Sequence, residues 1–355
     1  MRFRFNPGLT GALVVLGLIA LAIPVPYVMT SPGPVFNTIG QLQGTDLISI
    51  SGAQTYPTTG ELDMTTVREY GGPQEGLSVF QAVWGWLSPD RRVVPREAFY
   101  PPGQTAAENA AQNAEAFSSS QSYAIAAAMH YLKLPVIEQV VITSIGVGTP
   151  AQDKLRAADH ITAVDGVATP KPDDVVKAVR SKPIGTTLMF SVIRGGAPIV
   201  VAVVSGSRTD NPATTEDESK IPYVGIGVDT YYQASFEIAF GVQGVGGPSA
   251  GTMFAIGIID KLTPGALTGG KTIAGTGTID PDGQVGEIGG IAQKLIGART
   301  EGAELFLAPQ SNCKDVVGHI PSGLTVVPVS TLTEAMQAIS DYKAGKKLAT
   351  CTATK

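Results

Sequence analysis

The longest apolar run of the chain lies near its N-terminus. Leu9–Met29 is almost unbroken in apolar character and long enough to cross about 30 Å of hydrocarbon as a helix. Two arginines precede the run and acidic residues follow it, which predicts an N-terminus in the cytoplasm and the remainder outside. A cleaved signal peptide is the alternative, because Ala20-Leu21-Ala22 resembles a cleavage site, although Pro24 and Pro26 follow closely. We predict a retained single-pass anchor in the cell membrane.

Beyond this run, short strands, turns and helices alternate, which predicts a multidomain α+β fold. Thr30–Ile50 is rich in Pro and Gly and is typical of a juxtamembrane linker. Leu47–Ser51 and Leu62–Val67 are typical of strands. Gln104–Leu134 predicts two helical segments, of which the second, Ser120–Leu132, is apolar on nearly every face and is expected to be buried.

The pattern from Val136 to Ser205 predicts strand, turn, strand, helix and hairpin. A unit of about 70 residues in this order can fold alone. Its predicted elements are Val140–Ile145, the helix Asp173–Arg180, and the hairpin of Leu188–Val192 with Ile199–Val204. The polar, acidic stretch Ser207–Lys220 is the clearest predicted domain boundary of the chain.

This unit resembles a PDZ domain of the bacterial, protease-associated type. The resemblance is carried by a small-residue turn and an Asp-Gly pattern: Thr149-Pro150-Ala151, Leu155, Asp159, Ile161, Val164, Asp165 and Gly166. It implies a small β-barrel with helices that binds extended peptides by adding them as a strand to a sheet edge. It does not assign individual groove residues.

A glycine-rich turn, GVGGPSAG (residues 244–251), enters a predicted helix close to Ser249. The neighbouring elements are the strands Tyr223–Asp229 and Phe236–Val242 and the helix Thr252–Leu262. Backbone N–H groups and the helix dipole at such a position favour an oxyanion beside a nucleophile. Gly247 and Gly251 allow close approach of a substrate. An ordinary serine N-cap is the alternative interpretation.

A lysine occupies the apolar face of a later predicted helix. Ile291, Lys294, Leu295 and Ala298 follow the i, i+3, i+4, i+7 spacing and share one face. Burial there would disfavour the ammonium and lower the pKa of Lys294, as a base acting near neutral pH requires. Alternatively, the side chain extends its amine to water from the edge of the face.

Three ordered motifs resemble the proteolytic domain of the Lon family: GPSAG (247–251), TIAGTGTID (272–280) and GGIAQK (289–294). The resemblance runs from Tyr223 to about Ile339 and implies a Ser–Lys catalytic dyad of Ser249 and Lys294. It also implies supporting roles for Thr276, close to the lysine, and for Gly247, Pro248 and Gly251 of the serine motif. Two positions depart from the family pattern, Thr278 in place of Glu and Ala292 in place of the motif's other lysine, and neither belongs to the dyad.

Two other motifs suggest competing chemistry. GPSAG also satisfies the GxSxG elbow of α/β-hydrolases, which requires a downstream histidine, and only His319 follows it. GALTGGKT (265–272) matches a nucleotide-binding P-loop, but a helix is predicted before it and a strand after it, opposite to the required order. We expect no nucleotide to bind there. Because no ATPase module is recognised, the resemblance is to ATP-independent, membrane-anchored PDZ–Lon proteases.

Composition narrows the possible partners. The formal net charge is -5 and no Lys/Arg cluster occurs, so we expect no nucleic-acid partner. His130, His160 and His319 are scattered and no metal-binding spacing occurs, so we expect no metal and no cofactor. Cys313 and Cys351 are the only cysteines and are candidates for a disulfide in an oxidising compartment; two unrelated thiols are the alternative.

The predicted organisation is an anchor (1–30), an extracytoplasmic region with strands and helices (31–135), a PDZ domain (136–206), a linker (207–220), a Lon-type proteolytic α/β domain (221–345) and a C-terminal tail (346–355). The predicted function is an ATP-independent, membrane-anchored serine endopeptidase that cleaves exported or envelope proteins. Its PDZ domain would bind substrate or regulatory peptides, and the chain could form a homo-oligomer. A catalytically inert PDZ-containing envelope scaffold is the alternative.

Overall fold

The computed structural model describes residues 21–72, 76–100, 105–207 and 220–351. Two compact units are present: residues 134–235 form one, and the chain on either side of them forms the other. The helices are α1 (Val79–Leu87), α2 (Ala106–Leu132), α3 (Pro172–Arg180), α4 (Gly251–Leu262), α5 (Ile291–Thr300), α6 (Cys313–Val316) and α7 (Leu332–Lys343).

Short 3-10 turns lie at Arg96–Ala98 and Gln310–Asn312. The strands are β1 (Pro24–Val25), β2 (Tyr27–Asn37), β3 (Gln41–Leu42), β4 (Thr45–Asp46), β5 (Ile48–Ser51), β6 (Glu61–Tyr70), β7 (Leu77–Ser78), β8 (Arg92–Pro95), β9 (Val136–Ile145), β10 (His160–Val164), β11 (Val167–Ala168), β12 (Thr187–Arg194), β13 (Ala197–Val204), β14 (Gly206–Ser207), β15 (Pro222–Tyr223), β16 (Ile226–Ala234), β17 (Glu237–Phe240), β18 (Thr272–Gly275), β19 (Thr278–Ile279), β20 (Val285–Gly286), β21 (Leu305–Pro309) and β22 (Thr325–Val329).

The larger unit is organised around a mixed six-stranded sheet in the order β22-β21-β18-β6-β2-β8. Strands β22, β21, β18 and β6 run parallel, whereas β2 is antiparallel to both β6 and β8. The parallel strand β21 is buried along its whole length, which explains its continuous apolar sequence, Leu305–Pro309. Half of the sheet therefore comes from the first hundred residues and half from the last hundred.

This sheet changes the domain division predicted from the sequence. The sequence predicts residues 31–135 as a region of their own that starts with a linker, but β2 and β6 lie inside the sheet of the larger unit. Pro32 and Pro34 obscured β2, because proline disrupts a central strand. The structure accommodates both prolines: pairing with β8 ends at Thr30, and a bulge interrupts the pairing with β6 between Pro32 and Val35.

The predicted membrane-spanning run falls mostly outside the described residues. Residues 9–20 are not described, and β2 begins at Tyr27, so the last three residues of the predicted span, Tyr27–Met29, belong to a strand rather than a helix. Among the helices within the ranges given above, none combines the length and the apolar character needed to cross a membrane.

One continuous helix replaces the two segments predicted between Gln104 and Leu134. Helix α2 begins at a capping box, in which Thr105 and Glu108 each bond the other's backbone N–H. No proline or glycine interrupts the 27 residues that follow, and its second half is largely buried. Its buried Phe117 packs against Phe254 of α4, so α2 belongs to the core of the larger unit.

The smaller unit contains a sheet in the order β13-β12-β10-β9-β16. A buried ion pair fixes two of its segments: the Arg194 guanidinium donates two hydrogen bonds to the carboxylate of Asp159, which is 1% exposed. Strand β16 pairs with β9 from Ile226 to Ala234. The run Tyr223–Asp229, predicted to open the protease domain, therefore belongs to the smaller unit because its backbone partners are there.

A disulfide joins Cys313 to Cys351 across 38 residues of sequence. Both cysteines are buried, in a hydrophobic cluster with Ile291, Leu295 and Phe306. The bond thus attaches the C-terminal segment, which has no helix or strand between Gly345 and Cys351, to the core around α5.

Removing this bond should destabilise the larger unit. In the Cys313→Ala/Cys351→Ala variant, we expect the free energy of unfolding to fall by about 2–4 kcal/mol, because the unfolded chain regains the entropy of an open loop. Urea unfolding of the purified protein measures this change. Reductant should lower the wild-type stability and leave the double variant unaffected; a wild-type protein insensitive to reductant would contradict the assignment.

Candidate active site

Ser249 lies at the end of the glycine-rich loop, two residues before α4 begins at Gly251. Gly247 adopts a φ of 81°, which disfavours residues with a side chain, and its N–H donates to the carbonyl of Asn113 on α2 at 2.8 Å. A Cβ on Gly251 would lie 2.9 Å from the side chain of Ile279. The serine is therefore fixed by contacts on both sides, and Pro248 between them forms the exposed turn.

The carbonyl of Ser249 accepts two hydrogen bonds from the segment that follows β18. The Thr276 hydroxyl donates to it at 3.0 Å, and the Gly277 N–H donates at 2.9 Å. Thr276 is itself fully buried, and its N–H donates to Leu307 on β21. The backbone of Ser249 is thus held against the parallel part of the sheet, and its position does not depend on the loop alone.

Lys294 lies on the buried face of α5. Ile291, Lys294, Leu295 and Ala298 are all buried, as the spacing predicted, and the lysine side chain is 2% exposed. Its amine donates to Ser249 Oγ at 2.7 Å and to Thr276 Oγ1 at 2.9 Å. The structure therefore brings together the three side chains that the sequence motifs singled out.

Burial controls the charge of this lysine. Desolvation lowers the pKa of the Lys294 amine from 10.5 to about 7, because no carboxylate in the described part of the chain compensates for the loss of water. A lysine with this pKa is largely neutral slightly above pH 7, and a neutral amine has a lone pair that can accept a proton from a hydroxyl. The arrangement can consequently activate Ser249 without histidine.

Ser249 and Lys294 open into a cleft of about 900 Å³ in the larger unit. One wall comes from the N-terminal strands, through Phe36 on β2 and Thr66 to Glu69 on β6. Sequence reasoning missed this wall, as it missed the contact of Asn113 with the glycine loop. No local pattern could have found them, since each residue reaches the site only through pairing with distant parts of the chain.

An unpaired strand edge borders the cleft. The parallel pairing of β6 with β18 ends where Met64 faces Gly275. From Thr66 to Tyr70, β6 continues with β2 as its only partner strand among the residues described. Such an edge presents backbone donors and acceptors that an extended peptide can pair with.

The GxSxG and P-loop motifs do not form the sites that they suggest. His319 is exposed on the loop after α6, whereas the Ser249 hydroxyl contacts Lys294, so the structure offers no hydrolase triad around this serine. The stretch 265–272 follows helix α4 and leads into strand β18, the reverse of the P-loop order. Within the described ranges, no group of three His, Cys, Asp or Glu side chains is placed to hold a metal ion.

A second candidate site lies in the smaller unit. A cavity of about 410 Å³ separates Val175 and Val179 on α3 from the segment Tyr223–Val228 of β15 and β16. Strand β16 forms an edge of its sheet, and α3 contacts both β15 and β16. An apolar groove between a helix and a free strand edge suits an extended peptide. The sequence did not reveal this groove because half of its wall was assigned to the next domain.

Comparison with known families matches both units. Residues 213–340 match the Lon protease (S16) C-terminal proteolytic domain, and residues 113–204 match the PDZ domain. The chain carries a Lon-type proteolytic domain and a PDZ domain. The similarity supports a serine peptidase for the Lon-type domain. Its match begins before β16, but the backbone pairing of β16 with β9 assigns that strand to the PDZ unit.

Individual relatives match only part of this chain. The chain is 34% identical to the Lon protease of Neorickettsia sennetsu over 93 residues, which are 25% of this chain and 11% of that protein. It is 32% identical to Lon protease 1 of Bacillus subtilis over 124 residues, 34% of this chain and 16% of the relative. The chain thus spans less than a fifth of either relative.

The PDZ unit is similar to a solved structure. The PDZ domain of an SdrC-like protein from Listeria innocua is 21% identical, covering 25% of this chain and 92% of that one with a TM-score of 0.22.

The buried lysine should destabilise the folded protein at neutral pH. Since its pKa is lower in the folded chain than in the unfolded one, stability rises with pH between about 7 and 10.5. In Lys294→Met we expect the free energy of unfolding at pH 7 to increase by about 2–4 kcal/mol, a gain that shrinks towards pH 10. Urea unfolding at several pH values measures this.

The matched control is Lys314→Met, because that lysine side chain is 66% exposed. We expect it to change stability by less than about 0.5 kcal/mol at every pH. A loss of stability in Lys294→Met at pH 7 would show that the amine is not desolvated as described.

Proposed function

We propose that this chain is an ATP-independent, membrane-anchored serine endopeptidase that uses Ser249 as nucleophile and Lys294 as general base. The observation that carries the proposal is the 2.7 Å contact between the buried Lys294 amine and Ser249 Oγ. The similarity of the Lon-type domain to Lon proteases supports the same reaction class.

The reaction would proceed by acyl transfer. Neutral Lys294 takes the proton of Ser249 Oγ, and the alkoxide attacks the peptide carbonyl to give a tetrahedral oxyanion. The Ser249 backbone N–H, just ahead of the positive end of α4, stabilises that charge. Protonated Lys294 then gives its proton to the leaving amine. Water releases the acyl group by the same route, with Lys294 again acting as base.

Thr276 would act as a positioning residue. Its hydroxyl accepts a hydrogen bond from Lys294 and donates one to the Ser249 carbonyl, so it joins base and nucleophile through one side chain. Because Thr276 is fully buried, this bridge is shielded from water. Its role would be to hold the amine in line with the hydroxyl rather than to exchange a proton with substrate.

Substrates would be unfolded or extended segments of exported or envelope proteins. The free edge of β6 from Thr66 to Glu69 lies along the cleft and would pair with an extended chain, placing a carbonyl near Ser249. The groove beside α3 in the PDZ unit would bind a second extended peptide, either part of a substrate or a regulatory ligand. The apolar run that begins at Leu9 and precedes strand β1 supports anchoring of the chain in the cell membrane with its catalytic unit outside.

A catalytically inert scaffold that only binds peptides is the second candidate, supported by the PDZ groove. The buried lysine argues against it. A scaffold gains nothing from a desolvated amine, which destabilises the fold, whereas a protease needs it.

Degradation of fluorescein-labelled casein by the full-length protein without ATP separates the two candidates. The whole chain is required, because trimming to residue 31 would remove the start of β2. We expect wild-type turnover, and losses of at least about 10³-fold in Ser249→Ala and in Lys294→Ala. Ser249→Ala should still bind casein, measured by fluorescence anisotropy.

Ser311→Ala and Lys314→Ala are the matched controls, since both residues are exposed on the same unit. We expect them to keep wild-type turnover. Activity in either dyad variant would refute the assignment of that residue, and an inactive wild type that binds casein would favour the scaffold.

The activity should also follow the titration of Lys294. With a pKa of about 7, the base is protonated and inactive below pH 7, so kcat/KM should rise about tenfold per pH unit there and level off above pH 8. Initial rates on a quenched-fluorescence peptide between pH 5 and 9 measure the profile. A profile that is flat through pH 7 would exclude a lysine with this pKa as the base.

A further inference from the structure

Helix α1 carries its large apolar side chains on the outside. Phe80, Val83, Trp84 and Leu87 follow the i, i+3, i+4, i+7 spacing and are 55%, 42%, 52% and 80% exposed. Trp86 beside them is 57% exposed. We refer to these five side chains as the α1 apolar face.

The residues on the inward side of α1 explain why its large apolar side chains face outward. Only Ala82 and Gly85 are buried, and a Cβ on Gly85 would collide with Val93 of β8 and with Met29 of β2. Small residues thus let the helix lie close to the sheet and leave no room for large side chains beneath it. An amphipathic helix of a soluble domain usually has the opposite pattern, with its polar face outward.

Contacts between aromatic rings hold the side chains of the α1 apolar face in defined positions. Phe80 stacks on Trp84 with ring centroids 6.5 Å apart, and Trp86 meets Tyr27 edge-on at 5.5 Å. The guanidinium of Arg91 lies over the Trp84 ring at 5.9 Å. The tryptophans are therefore held in place by neighbours on β2 and the loop after α1, as residues of a preformed surface.

The chain that leaves the apolar N-terminal run is bonded directly to α1. Strand β1 pairs with β7, placing Pro24 opposite Ser78, and the first N–H of α1, from Val79, donates to the carbonyl of Ile23 at 3.0 Å. Leu21 and Ile23 are exposed apolar residues at the same place. The last described residues of the apolar run therefore lie beside helix α1.

The distribution of charged residues around α1 also agrees with a membrane contact. Residues 21–26 and 76–89 contain no charged side chain, so both segments that meet at this surface are uncharged. Beyond the end of α1 and the residues Ser88 and Pro89, the chain carries one acidic residue, Asp90, and then Arg91 and Arg92. Apolar and tryptophan side chains beside arginines match the boundary between acyl chains and anionic headgroups, where tryptophan rings are favoured.

We propose that the α1 apolar face, together with Leu21 and Ile23, inserts into the headgroup–acyl boundary of the bilayer. This inference rests on the proposed membrane anchoring and adds a second contact, made by the catalytic unit itself. It commits to lipid as the occupant, because the uncharged N-terminal run ends at this face. An interface with a second copy of the chain is the competing outcome.

The two tryptophans make the proposal directly testable. The sequence contains only Trp84 and Trp86, so all tryptophan emission reports on α1. Full-length Ser249→Ala protein, used to avoid self-cleavage, is reconstituted into phosphatidylcholine/phosphatidylglycerol vesicles with lipids brominated either near the headgroup or near the acyl terminus. We expect headgroup-proximal bromine to reduce emission about twofold and terminal bromine to do much less, since an interfacial helix inserts only about 5–10 Å.

Substitutions on the protein surface test whether the α1 apolar face is the part that contacts lipid. Val83→Glu/Leu87→Glu keeps both tryptophans and should lose most of the quenching. Val147→Glu is the matched control, because Val147 is 89% exposed in the PDZ unit, and it should be quenched like the parent. Quenching that persists in the double variant would overturn the assignment to this face.

Flotation of the same vesicles separates the inference from the anchoring on which it rests. Protein that floats with vesicles but shows no quenching would overturn the inference and leave the anchor intact. Protein that neither floats nor is quenched would overturn both. A concentration-dependent blue shift without lipid quenching would instead assign the α1 apolar face to chain–chain contact, and casein degradation by wild-type protein tests the protease proposal independently.

Discussion

The desolvation of one amine is the constraint on which the catalytic unit depends. Lys294 is buried with two hydroxyls as partners and no carboxylate, so its charged form is unfavourable and its pKa falls to about 7. Every other feature of the site preserves this condition. Thr276 fills the space behind the amine, α5 carries apolar residues on either side of it, and the Ser249 carbonyl is tied to the segment after β18. Water admitted at any of these points would return the lysine to an ordinary, protonated state.

Keeping such a site intact requires a rigid surrounding, and the sheet provides it. Thr276 directly follows β18 and its N–H donates to Leu307 on β21, and the disulfide attaches the C-terminal segment to the cluster around α5. The N-terminal strands β2 and β6 then form one wall of the cleft. A destabilising amine is tolerated here because its surroundings come from both ends of the sequence and pack as one core.

The sequence predicted the chemistry of the site better than its walls. Ser249, Thr276 and Lys294 belong to short motifs, and the i, i+3, i+4 spacing on α5 is local, so residue patterns suffice to find them. The strands β2 and β6 are different, because β6 pairs with a strand more than 200 residues away and the prolines of β2 imitate a linker. Tyr223–Asp229 was assigned to the wrong unit for the same reason: the run is typical of a strand, but only the pairing of β16 with β9 shows which unit it completes. The sequence of helix α1 is largely apolar. Only the structure, in which Ala82 and Gly85 are its buried residues, shows that the large side chains face outward.

Strand β2 links the proposed anchor to the proposed chemistry, and its length limits the substrates. Leu21 lies where the apolar run meets α1, and Thr30, nine residues later, already lines the cleft. At about 3.3 Å per extended residue, the cleft can be no more than about 30 Å from that point. If α1 rests in the bilayer surface, the cleft opens within one domain diameter of the lipid. Segments that emerge from the membrane, or lie along it, would then reach Ser249 more readily than proteins free in the surrounding compartment, so the anchoring would itself contribute to substrate choice.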